Sequence, residues 1–249
     1  MKTNKLSVNG LCKSFGGSNV LNHVDLQIEQ GEFAAVMGQS GCGKSTLLYC
    51  ISGMDRPTSG KVFFEGRELW SLTEKEMEKL RLEHMGFVFQ KANFLKNLSV
   101  GDNIIFPAFQ LGKKSRCEIT ACGERLMERM GIASVAGSDI RRVSGGQLQR
   151  AAICRAMINS PDILFGDEPT GALNSSATAE VMDILGEISR EGTTILLVTH
   201  DAKVAARAHR VIYLEDGCIR DQLMLGKYTE RELAVRENRL KEWLAGMGF

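Results

Sequence analysis

Nine consecutive residues combine glycines with a lysine and two hydroxyl side chains in a spacing that suits phosphate binding. They fit the pattern G-x-x-x-x-G-K-[ST], in which the glycines let backbone N–H groups converge on phosphate oxygens. Lys44 can bridge two phosphates and the Ser45 hydroxyl can bind Mg²⁺. An incidental glycine-rich turn is the alternative, but the segment follows an apolar strand and opens a helix, as phosphate binding requires. The nine residues are Gly38, Gln39, Ser40, Gly41, Cys42, Gly43, Lys44, Ser45 and Thr46.

A pair of carboxylates ends another apolar stretch, Ile163–Gly166, as Asp167 and Glu168. Because consecutive side chains on a strand point in opposite directions, one carboxylate can reach a metal ion while the other orients a water molecule. Alone, such a pair is typical of a helix cap or a loop. Together with a phosphate-binding loop, it predicts a metal-binding and water-orienting pair.

A third segment, Ser144–Gln147, places a serine and two glycines at the start of an alanine-rich helical stretch. Such a start forms a second helix N-terminus suited to anions. Two anion-binding N-termini are more than one triphosphate needs within a single chain.

These segments, in this order and over nearly the whole chain, resemble the ATP-binding subunit of ABC transporters. The resemblance identifies Gly38–Thr46 as the Walker A loop, Asp167 as the Walker B acid that binds the metal, and Glu168 as the general base. It implies that Gln90 contacts Mg²⁺ or the attacking water, and that His200 hydrogen-bonds the γ-phosphate of ATP.

The same resemblance implies further ATP contacts. Phe15 occupies the position of the aromatic residue that stacks on adenine, and Val20 would lie close to it. The metal ligands it implies are Ser45, Gln90 and Asp167. In the family, ATP is sandwiched in a head-to-tail homodimer, and the residues that act across the interface correspond here to Ser144, Gly145, Gly146, Gln147 and Asn174.

Three positions depart from the family pattern. Asn174 stands where the family's D-loop normally has Asp, which removes a charge and puts the hydrolysis rate in doubt more than binding. Ser144–Gln147 corresponds to the family's signature motif, and Val143 stands where that motif usually has Leu. Phe15 replaces a Tyr while keeping the ring. The run Gly171–Asn174 (Gly-Ala-Leu-Asn) most resembles antimicrobial-peptide resistance transporters, within a branch that includes bacitracin-resistance, lipoprotein-releasing and macrolide-exporting subunits.

Composition limits the other function classes. The 249 residues carry 31 Lys and Arg against 30 Asp and Glu, so a net charge of +1 argues against a nucleic-acid partner. The longest apolar runs are far shorter than the ~20 residues of a membrane span. Residues 1–5 lack the apolar stretch of a signal peptide. The seven cysteines are scattered and include no Cys-x-x-Cys pair, which favours reduced thiols in a cytoplasmic protein.

Strand and helix patterns alternate, so we expect an α/β fold of the P-loop NTPase type, with a mainly parallel sheet core and an antiparallel β edge. The strand patterns disappear between residues 91 and 158, which predicts a helical subdomain inserted into a single ABC ATPase domain over residues 1–249. The core then comprises residues 1–90 and 159–249. A final helix carries Leu233, Leu240, Trp243 and Leu244, and is expected to be capped by Thr229 and Glu232.

A membrane partner follows from the resemblance, which implies a separate integral membrane permease and a peripheral location on the inner face of the membrane. Asn93–Leu98 combines apolar residues with a loop-like context just after Gln90, so we expect it to line a groove for a cytoplasmic helix of the permease. Ordinary packing within the helical insert is the alternative.

Two other functions compete with a transporter ATPase. A soluble ABC-type ATPase of DNA repair or translation would carry a long coiled coil or two cassettes, and this chain has neither heptads nor room for them. A regulator that only binds ATP is disfavoured by the retained Lys44, Asp167, Glu168 and His200, although Asn174 would fit it.

Overall fold

A computed structural model describes residues 4–248. Residues 1–3 and residue 249 lie outside the described part. The expectation that residues 1–5 contain no apolar stretch of a signal peptide therefore falls partly outside it. The strands are β1 (Asn4–Phe15), β2 (Ser18–Glu29), β3 (Phe33–Met37), β4 (Ser59–Phe64), β5 (Arg67–Glu68), β6 (Met85–Phe89), β7 (Ile163–Asp167), β8 (Thr194–Val198), β9 (Arg210–Glu215) and β10 (Cys218–Met224). The helices are α1 (Lys44–Ile51), α2 (Glu74–His84), α3 (Val100–Leu111), α4 (Arg116–Arg129), α5 (Gly145–Met157), α6 (Ser175–Arg190), α7 (Ala202–Ala205) and α8 (Leu233–Ala245).

These elements form two compact units. One, called here the terminal unit, contains the described residues up to Met77 and those from Gly186 onward. The other, called the central unit, is Glu78–Leu185. The boundaries between them fall inside α2 and α6.

An antiparallel sheet with the order β2-β1-β4-β5 lies in the terminal unit. Leu21, Val24, Leu26 and Ile28 on β2 are all buried. On this strand apolar and polar positions alternate, as expected for a sheet with one face on the core. A turn at Gly16 and Gly17 joins β1 to β2, with both glycines at positive φ.

A second group of strands in the terminal unit has the order β10-β9-β3-β8. Strand β3 pairs in parallel with both neighbours, and Val36 lies opposite Val198 on one side and Ile212 on the other. Every residue of β3 and β8 is buried. Since parallel strands end at the same edge, the segments that follow β3, β8 and β9 emerge together.

The central unit has a parallel pair of its own, β6 and β7, in which Phe89 lies opposite Asp167. Helices α3 and α4 and the end of α5 pack around Ala108, Ile119 and Ile158. Between residues 91 and 158 the chain forms helices and short 3₁₀ turns, with one isolated bridge between Ser99 and Asp139. The predicted helical character of this stretch is therefore confirmed.

Local predictions have mixed outcomes. The sequence also predicts a capping box from Thr73 and Glu76 at the start of α2. It is confirmed, because each backbone N–H donates to the other side chain, at 2.9 and 3.4 Å. The cap predicted at Thr229 and Glu232 is wrong: neither side chain makes a capping hydrogen bond, and a 3₁₀ turn precedes α8. Strand β10 was not predicted, because Arg220, Asp221 and Gln222 in its middle are polar and exposed, so the strand lacks an apolar pattern.

The helices and cysteines add two observations. In the described part of the chain, no helix combines the length and apolarity needed to cross a bilayer. The seven cysteines carry free thiols, and Cys50 and Cys154 are buried. Burial raises the pKa of each of these two thiols to about 12, so both stay protonated.

Candidate functional site

The phosphate-binding loop predicted from the sequence lies in the terminal unit between β3 and α1. Strand β3 is buried along its whole length, and α1 begins at Lys44 immediately after the loop. Gly43 occupies the N-cap position without a side chain that could cap the helix. The first turn of α1 therefore presents its backbone N–H groups, and their dipole favours an anion.

Two glycines of the loop leave no room for a side chain. A Cβ atom on Gly38 would lie 2.1 Å from the Leu214 carbonyl oxygen, and one on Gly43 would lie 2.8 Å from the Val20 carbonyl oxygen. Gly43 also has a φ of +102°, which L side chains rarely adopt. The close approach of backbone to backbone explains why the loop needs glycine at these positions.

Lys44 directs its ammonium group back onto the loop. The side chain is buried, and Nζ donates hydrogen bonds to the carbonyl oxygens of Gly38, at 2.9 Å, and Gln39, at 2.8 Å. The cation is thereby held inside the loop by its own backbone. Gln39, Ser40 and Gly41 are exposed, while Ser45 and Thr46 are half-buried on the first turn of α1.

Cys42 contributes a neutral side chain to the loop. Its Sγ lies 3.9 Å from Lys44 Nζ. Burial raises the pKa of the Cys42 thiol and Asp216 adds to this effect, while Lys44 acts in the opposite direction. A thiol with a raised pKa is a poor nucleophile, so Cys42 fits packing better than redox chemistry.

Val20 and Phe15 lie in the terminal unit as well. The structure brings Val20 against the loop, since its carbonyl oxygen and Cγ1 both approach Gly43. The Phe15 ring is 52% exposed at the end of β1, and the Lys13 ammonium lies 4.7 Å from the ring centroid. Lys13 itself is fixed by the Asp55 carboxylate at 2.7 Å, so it steadies the ring while leaving it accessible for stacking.

His200 follows β8 at the edge where the phosphate loop follows β3. Val36 and Val198 are register partners, so Gly38 and His200 each lie two residues beyond a paired position. The His200 side chain is exposed. Asp201 holds the next turn by accepting a hydrogen bond from the Lys203 N–H at 2.7 Å, which caps α7.

The central unit repeats this construction with Gln90 and Glu168. Phe89 and Asp167 are partners at the ends of β6 and β7, so Gln90 and Glu168 are the next residue on each strand. Both side chains converge on Gly171: a Cβ atom there would lie 2.7 Å from Gln90 Nε2 and 3.3 Å from Glu168 Oε2. From the sequence, Gly171 served only to assign a branch of the family. Its role in leaving room for the side chains of Gln90 and Glu168 was missed.

Glu168 does not continue the strand as the alternation argument assumed. Strand β7 ends at Asp167, and Glu168 has a φ of +47°, in the left-handed region. Its carbonyl oxygen accepts a hydrogen bond from the Gly171 N–H at 3.0 Å, which closes a tight turn. This turn, rather than strand pleating, directs the Glu168 carboxylate toward Gln90.

Ser144–Gln147 forms the first turn of α5. The Ser144 Oγ accepts a hydrogen bond from the Gln147 N–H at 3.3 Å, and Gln147 Oε1 accepts one from the Ser144 N–H at 3.1 Å. This capping box fixes the turn, and Ser144 and Gly145 remain exposed. A Cβ atom on Gly146 would lie 3.2 Å from the Ala177 Cβ, which packs this turn closely on α6.

Asn174 has a local structural role. Its Oδ1 accepts a hydrogen bond from the Ala177 N–H at 2.9 Å at the start of α6, and the side chain is exposed. An Asp at this position would cap the helix equally well. The departure from the family pattern therefore costs the fold nothing and changes only the charge.

The side chains assigned to Mg²⁺ suit a hard cation that keeps several waters. Among residues 4–248, no group of three His, Cys, Asp or Glu side chains gathers as a metal site would require. Mg²⁺ is typically bound through one or two carboxylates, with substrate phosphates and water completing the shell. The Asp167 carboxylate and the Gln90 amide oxygen in the central unit are ligands of the type that Mg²⁺ prefers, and so is the Ser45 hydroxyl in the terminal unit.

Comparison with known proteins gives a consistent family. The model of the family described as "ABC transporter" matches residues 21–171. The chain is 44% identical over 223 residues to the macrolide export ATP-binding/permease protein MacB of Rhodopseudomonas palustris, and 43% identical over 224 residues to the pyoverdine export ATP-binding/permease protein PvdT of Pseudomonas syringae pv. syringae. Each match covers 88% of this chain and 34% of the relative. The chain thus spans about a third of the length of these curated relatives.

Solved structures agree with this result. The post-hydrolysis dimer of the ATP-binding cassette MJ0796, bound to ADP and Pi, is 33% identical with a TM-score of 0.83, covering 90% of this chain and 100% of that one. The cbiO1 protein of Clostridium perfringens, part of the ABC transporter complex cbiONQ, is 28% identical with a TM-score of 0.83, covering 99% and 98%. The predicted α/β fold of the P-loop NTPase type is confirmed. The chain belongs to the ABC transporter family and is an ABC ATPase domain.

Proposed function

We propose that this domain binds ATP with Mg²⁺, hydrolyses it in a homodimer, and energises a membrane permease that exports its substrate. The observation that best supports ATP binding is the Gly38–Thr46 loop, where a buried lysine is held at the uncapped N-terminus of α1. A helix N-terminus and an ammonium group in one loop are the combination that binds a triphosphate.

The terminal unit supplies the nucleotide-binding residues in this proposal. Phe15 stacks on the adenine ring through its exposed face, and Val20 contacts the nucleotide beside the loop. The backbone N–H groups of the loop bind phosphate oxygens, with Lys44 exchanging its bonds to the loop carbonyls for bonds to phosphate. His200 hydrogen-bonds the γ-phosphate.

The residues of the central unit act on the water molecule. Glu168 accepts the proton of the attacking water, and the Gln90 amide beside it orients that water. Asp167 and Gln90 are the proposed Mg²⁺ ligands of this unit, and Ser45 is the proposed ligand of the terminal unit. Mg²⁺, when bound, would neutralise charge on the phosphates. The left-handed turn at Glu168 keeps its carboxylate next to Gln90, so the base and the orienting amide can act on the same water molecule.

Dimerisation is proposed to complete the site. The exposed first turn of α5, Ser144–Gln147, offers a second anion-binding N-terminus, which would contact ATP held by the opposite subunit. Asn174 would lie at the same interface. Two similar structures are described as dimeric, the MJ0796 cassette and its post-hydrolysis state, which supports this arrangement.

The partner is proposed to be an integral membrane permease, with the domain at the cytoplasmic face of the membrane. The similar curated proteins are named as ATP-binding/permease proteins, and this chain matches about a third of them. Within Asn93–Leu98, Leu95 is 44% exposed, whereas Phe94 is half-buried with its ring centroid 4.5 Å from the Arg155 guanidinium. Leu95, rather than Phe94, is therefore the side chain we expect to contact the permease.

Export is the favoured direction because two sets of relatives are named for macrolide and pyoverdine export. Antimicrobial-peptide resistance remains the proposal based on Gly171–Asn174, with lipoprotein release and macrolide export as alternatives within the same branch. A soluble non-transport ATPase has less support, since none of the relatives described above is named for such a role.

Hydrolysis is tested with two variants and two matched controls. Lys44→Ala should weaken ATP binding roughly 10- to 100-fold, as expected for losing a charge-assisted hydrogen bond, while exposed Lys61→Ala should not. Glu168→Gln should retain ATP binding and lower kcat by roughly 10²- to 10⁴-fold, while exposed Glu128→Gln should not. Normal turnover in Glu168→Gln would contradict the assignment of the base.

The assembly is tested with the same Glu168→Gln protein. With MgATP it should form a stable dimer by light scattering, and it should retain a stoichiometric permease when captured from detergent-solubilised native membranes. Leu95→Asp should abolish permease recovery and leave the dimer intact. Recovery of only soluble partners would contradict the transporter proposal.

A further inference from the structure

The segment that follows Gln90 is held at several points by one helix. We propose that Gln149 and Arg155, both on α5, are positioning residues for ATP hydrolysis, which set Gln90 by holding the backbone of Phe89, Ala92 and Asn93. The inference rests on the proposed role of Gln90 in orienting the attacking water.

Gln149 holds the residue before Gln90. Its side chain is 3% exposed, and Nε2 donates a hydrogen bond to the Phe89 carbonyl oxygen at 3.1 Å. Phe89 is the last residue of β6, so the bond fixes the point at which the strand releases Gln90. A buried amide that reaches 60 residues back along the chain for one carbonyl is a specific contact, not generic packing.

Arg155 holds the residues after Gln90. Its guanidinium donates to the carbonyl oxygens of Ala92 and Asn93, the latter at 3.2 Å, and stacks on the Phe94 ring. Within residues 4–248 these are its polar contacts, and no carboxylate pairs with it. The planar guanidinium fits two adjacent carbonyls and a ring face at once, which an ammonium group cannot do.

The backbone between these contacts is shaped to meet them. Asn93 has a φ of +47°, in the left-handed region that Asn tolerates better than most residues. This turn lies between the Ala92 and Asn93 carbonyls that Arg155 binds. The backbone is thus held on both sides of Gln90. The Gln90 side chain itself lies beside that of Glu168 at Gly171.

The helix that provides both contacts also begins with the signature turn. Ser144 caps α5, Gln149 lies in its second turn and Arg155 in its last. A displacement of the signature turn along the helix axis would therefore move the carbonyls that flank Gln90. This arrangement would let contact of Ser144–Gln147 with nucleotide set the position of the water-orienting amide.

The test replaces each donor while keeping side-chain volume. Gln149→Met and Arg155→Met should each lower kcat for ATP hydrolysis roughly 10- to 100-fold, as expected when a catalytic group is displaced by about 1 Å, and should leave KM for ATP within about twofold. Arg155→Lys should recover only part of the loss, because it reaches one carbonyl. The double variant should lose little more than the worse single variant, since both act on one segment.

Asn159→Ala is the matched control. Asn159 lies in the turn after α5, and its Nδ2 donates to the carbonyl oxygens of Leu82, at 2.9 Å, and Pro107, at 3.4 Å. It therefore also binds distant backbone in the central unit, but away from Gln90. It should lower the thermal unfolding midpoint about as much as Gln149→Met does, without changing kcat.

The outcomes are distinct. If wild-type protein hydrolyses ATP, Glu168→Gln does not, and Gln149→Met keeps kcat within twofold of wild type, the positioning role is wrong while the proposed function stands. If Asn159→Ala and Gln149→Met lose kcat equally, stability explains both and the proposal is again wrong. If Glu168→Gln hydrolyses ATP normally, the proposed mechanism itself fails.

Discussion

The phosphate loop of the terminal unit and the Gln90 segment of the central unit are built in opposite ways. The loop is shaped largely by its own backbone: Lys44 bonds to carbonyls five and six residues before it. The Gln90 segment is held by side chains from afar, with Gln149 and Arg155 lying 60 to 63 residues further along the chain. Both segments follow a parallel strand, so the difference lies in what holds them.

This difference predicts which substitutions should affect ATP binding and which should affect turnover. The phosphate loop, which is shaped by its own backbone, should lose ATP binding when a side chain is added to one of its glycines. The Gln90 segment, which is held by side chains, should tolerate backbone changes better, but its Gln90 amide should lose its placement. Binding and turnover should therefore separate between the two units.

Among substitutions that test this contrast, the largest expected effect comes from Gly43→Ala in the loop. The added Cβ would lie 2.8 Å from the Val20 carbonyl oxygen, at a φ of +102°, so the loop must change shape. We expect ATP affinity to fall about 100-fold, because backbone N–H groups no longer converge on phosphate. Titration with a fluorescent ATP analogue measures this.

Gly41→Ala is the control for backbone strain alone. Gly41 also has a positive φ, +82°, but nothing lies within 4 Å of its Cβ position. It should cost the strain of a left-handed alanine, about 1–2 kcal/mol, with a smaller loss of affinity. Equal losses in the two variants would mean that strain, and not the close approach to Val20, determines the loop.

A smaller and different effect is expected from Gly171→Ala in the central unit. The new Cβ would lie 2.7 Å from Gln90 Nε2, the end of a flexible side chain that can move away. Stability should therefore change little, while kcat falls roughly tenfold because Gln90 is displaced from Glu168. Steady-state kinetics should show an unchanged KM for ATP.

Gly186→Ala provides the comparison for Gly171→Ala. Nothing lies within 4 Å of its Cβ position on α6, and alanine should stabilise the helix by about 0.5–1 kcal/mol. Its kcat should match that of wild type. A loss of ATP affinity in Gly171→Ala would contradict the separation of binding from turnover.

The same contrast explains how much the sequence could predict. The loop was located residue by residue, because its spacing directly reflects local backbone geometry, and the apolar strand expected before it is β3. The parallel core and the helical stretch followed from apolar patterning. Gln90 and His200 were identified through family resemblance, since a single polar residue after a strand has no spacing of its own.

The contacts that position the site were beyond sequence reasoning. Nothing near Gln149 or Arg155 indicates that they bind carbonyls about 60 residues away, because such contacts depend on how helices pack. The left-handed turn at Glu168 also had no signal, since Glu rarely adopts it. Strand β10 was missed because its exposed face is largely polar.

The smallest expected effect concerns pH and the strand that precedes the loop. His209 Nδ1 accepts a hydrogen bond from the Phe33 N–H at 3.2 Å, at the start of β3, so the neutral ring is the form that fits. Burial lowers the pKa of His209, and Arg236 and Lys227 lower it further, while Glu32 acts in the opposite direction. The folded protein therefore binds this proton less readily than the unfolded chain does.

A lowered pKa means that the contribution of His209 to stability is present above the unfolded-state pKa, about 6.5, and is lost as pH falls below it. The free energy of unfolding, measured with urea, should decrease less between pH 7.5 and pH 5.5 for His209→Asn than for the wild type. The Asn amide oxygen can accept the hydrogen bond from the Phe33 N–H without titrating. His23→Asn, at an exposed histidine of the same unit, should keep the wild-type decrease. If all three proteins lose the same free energy, His209 does not couple pH to the strand that leads into the phosphate loop.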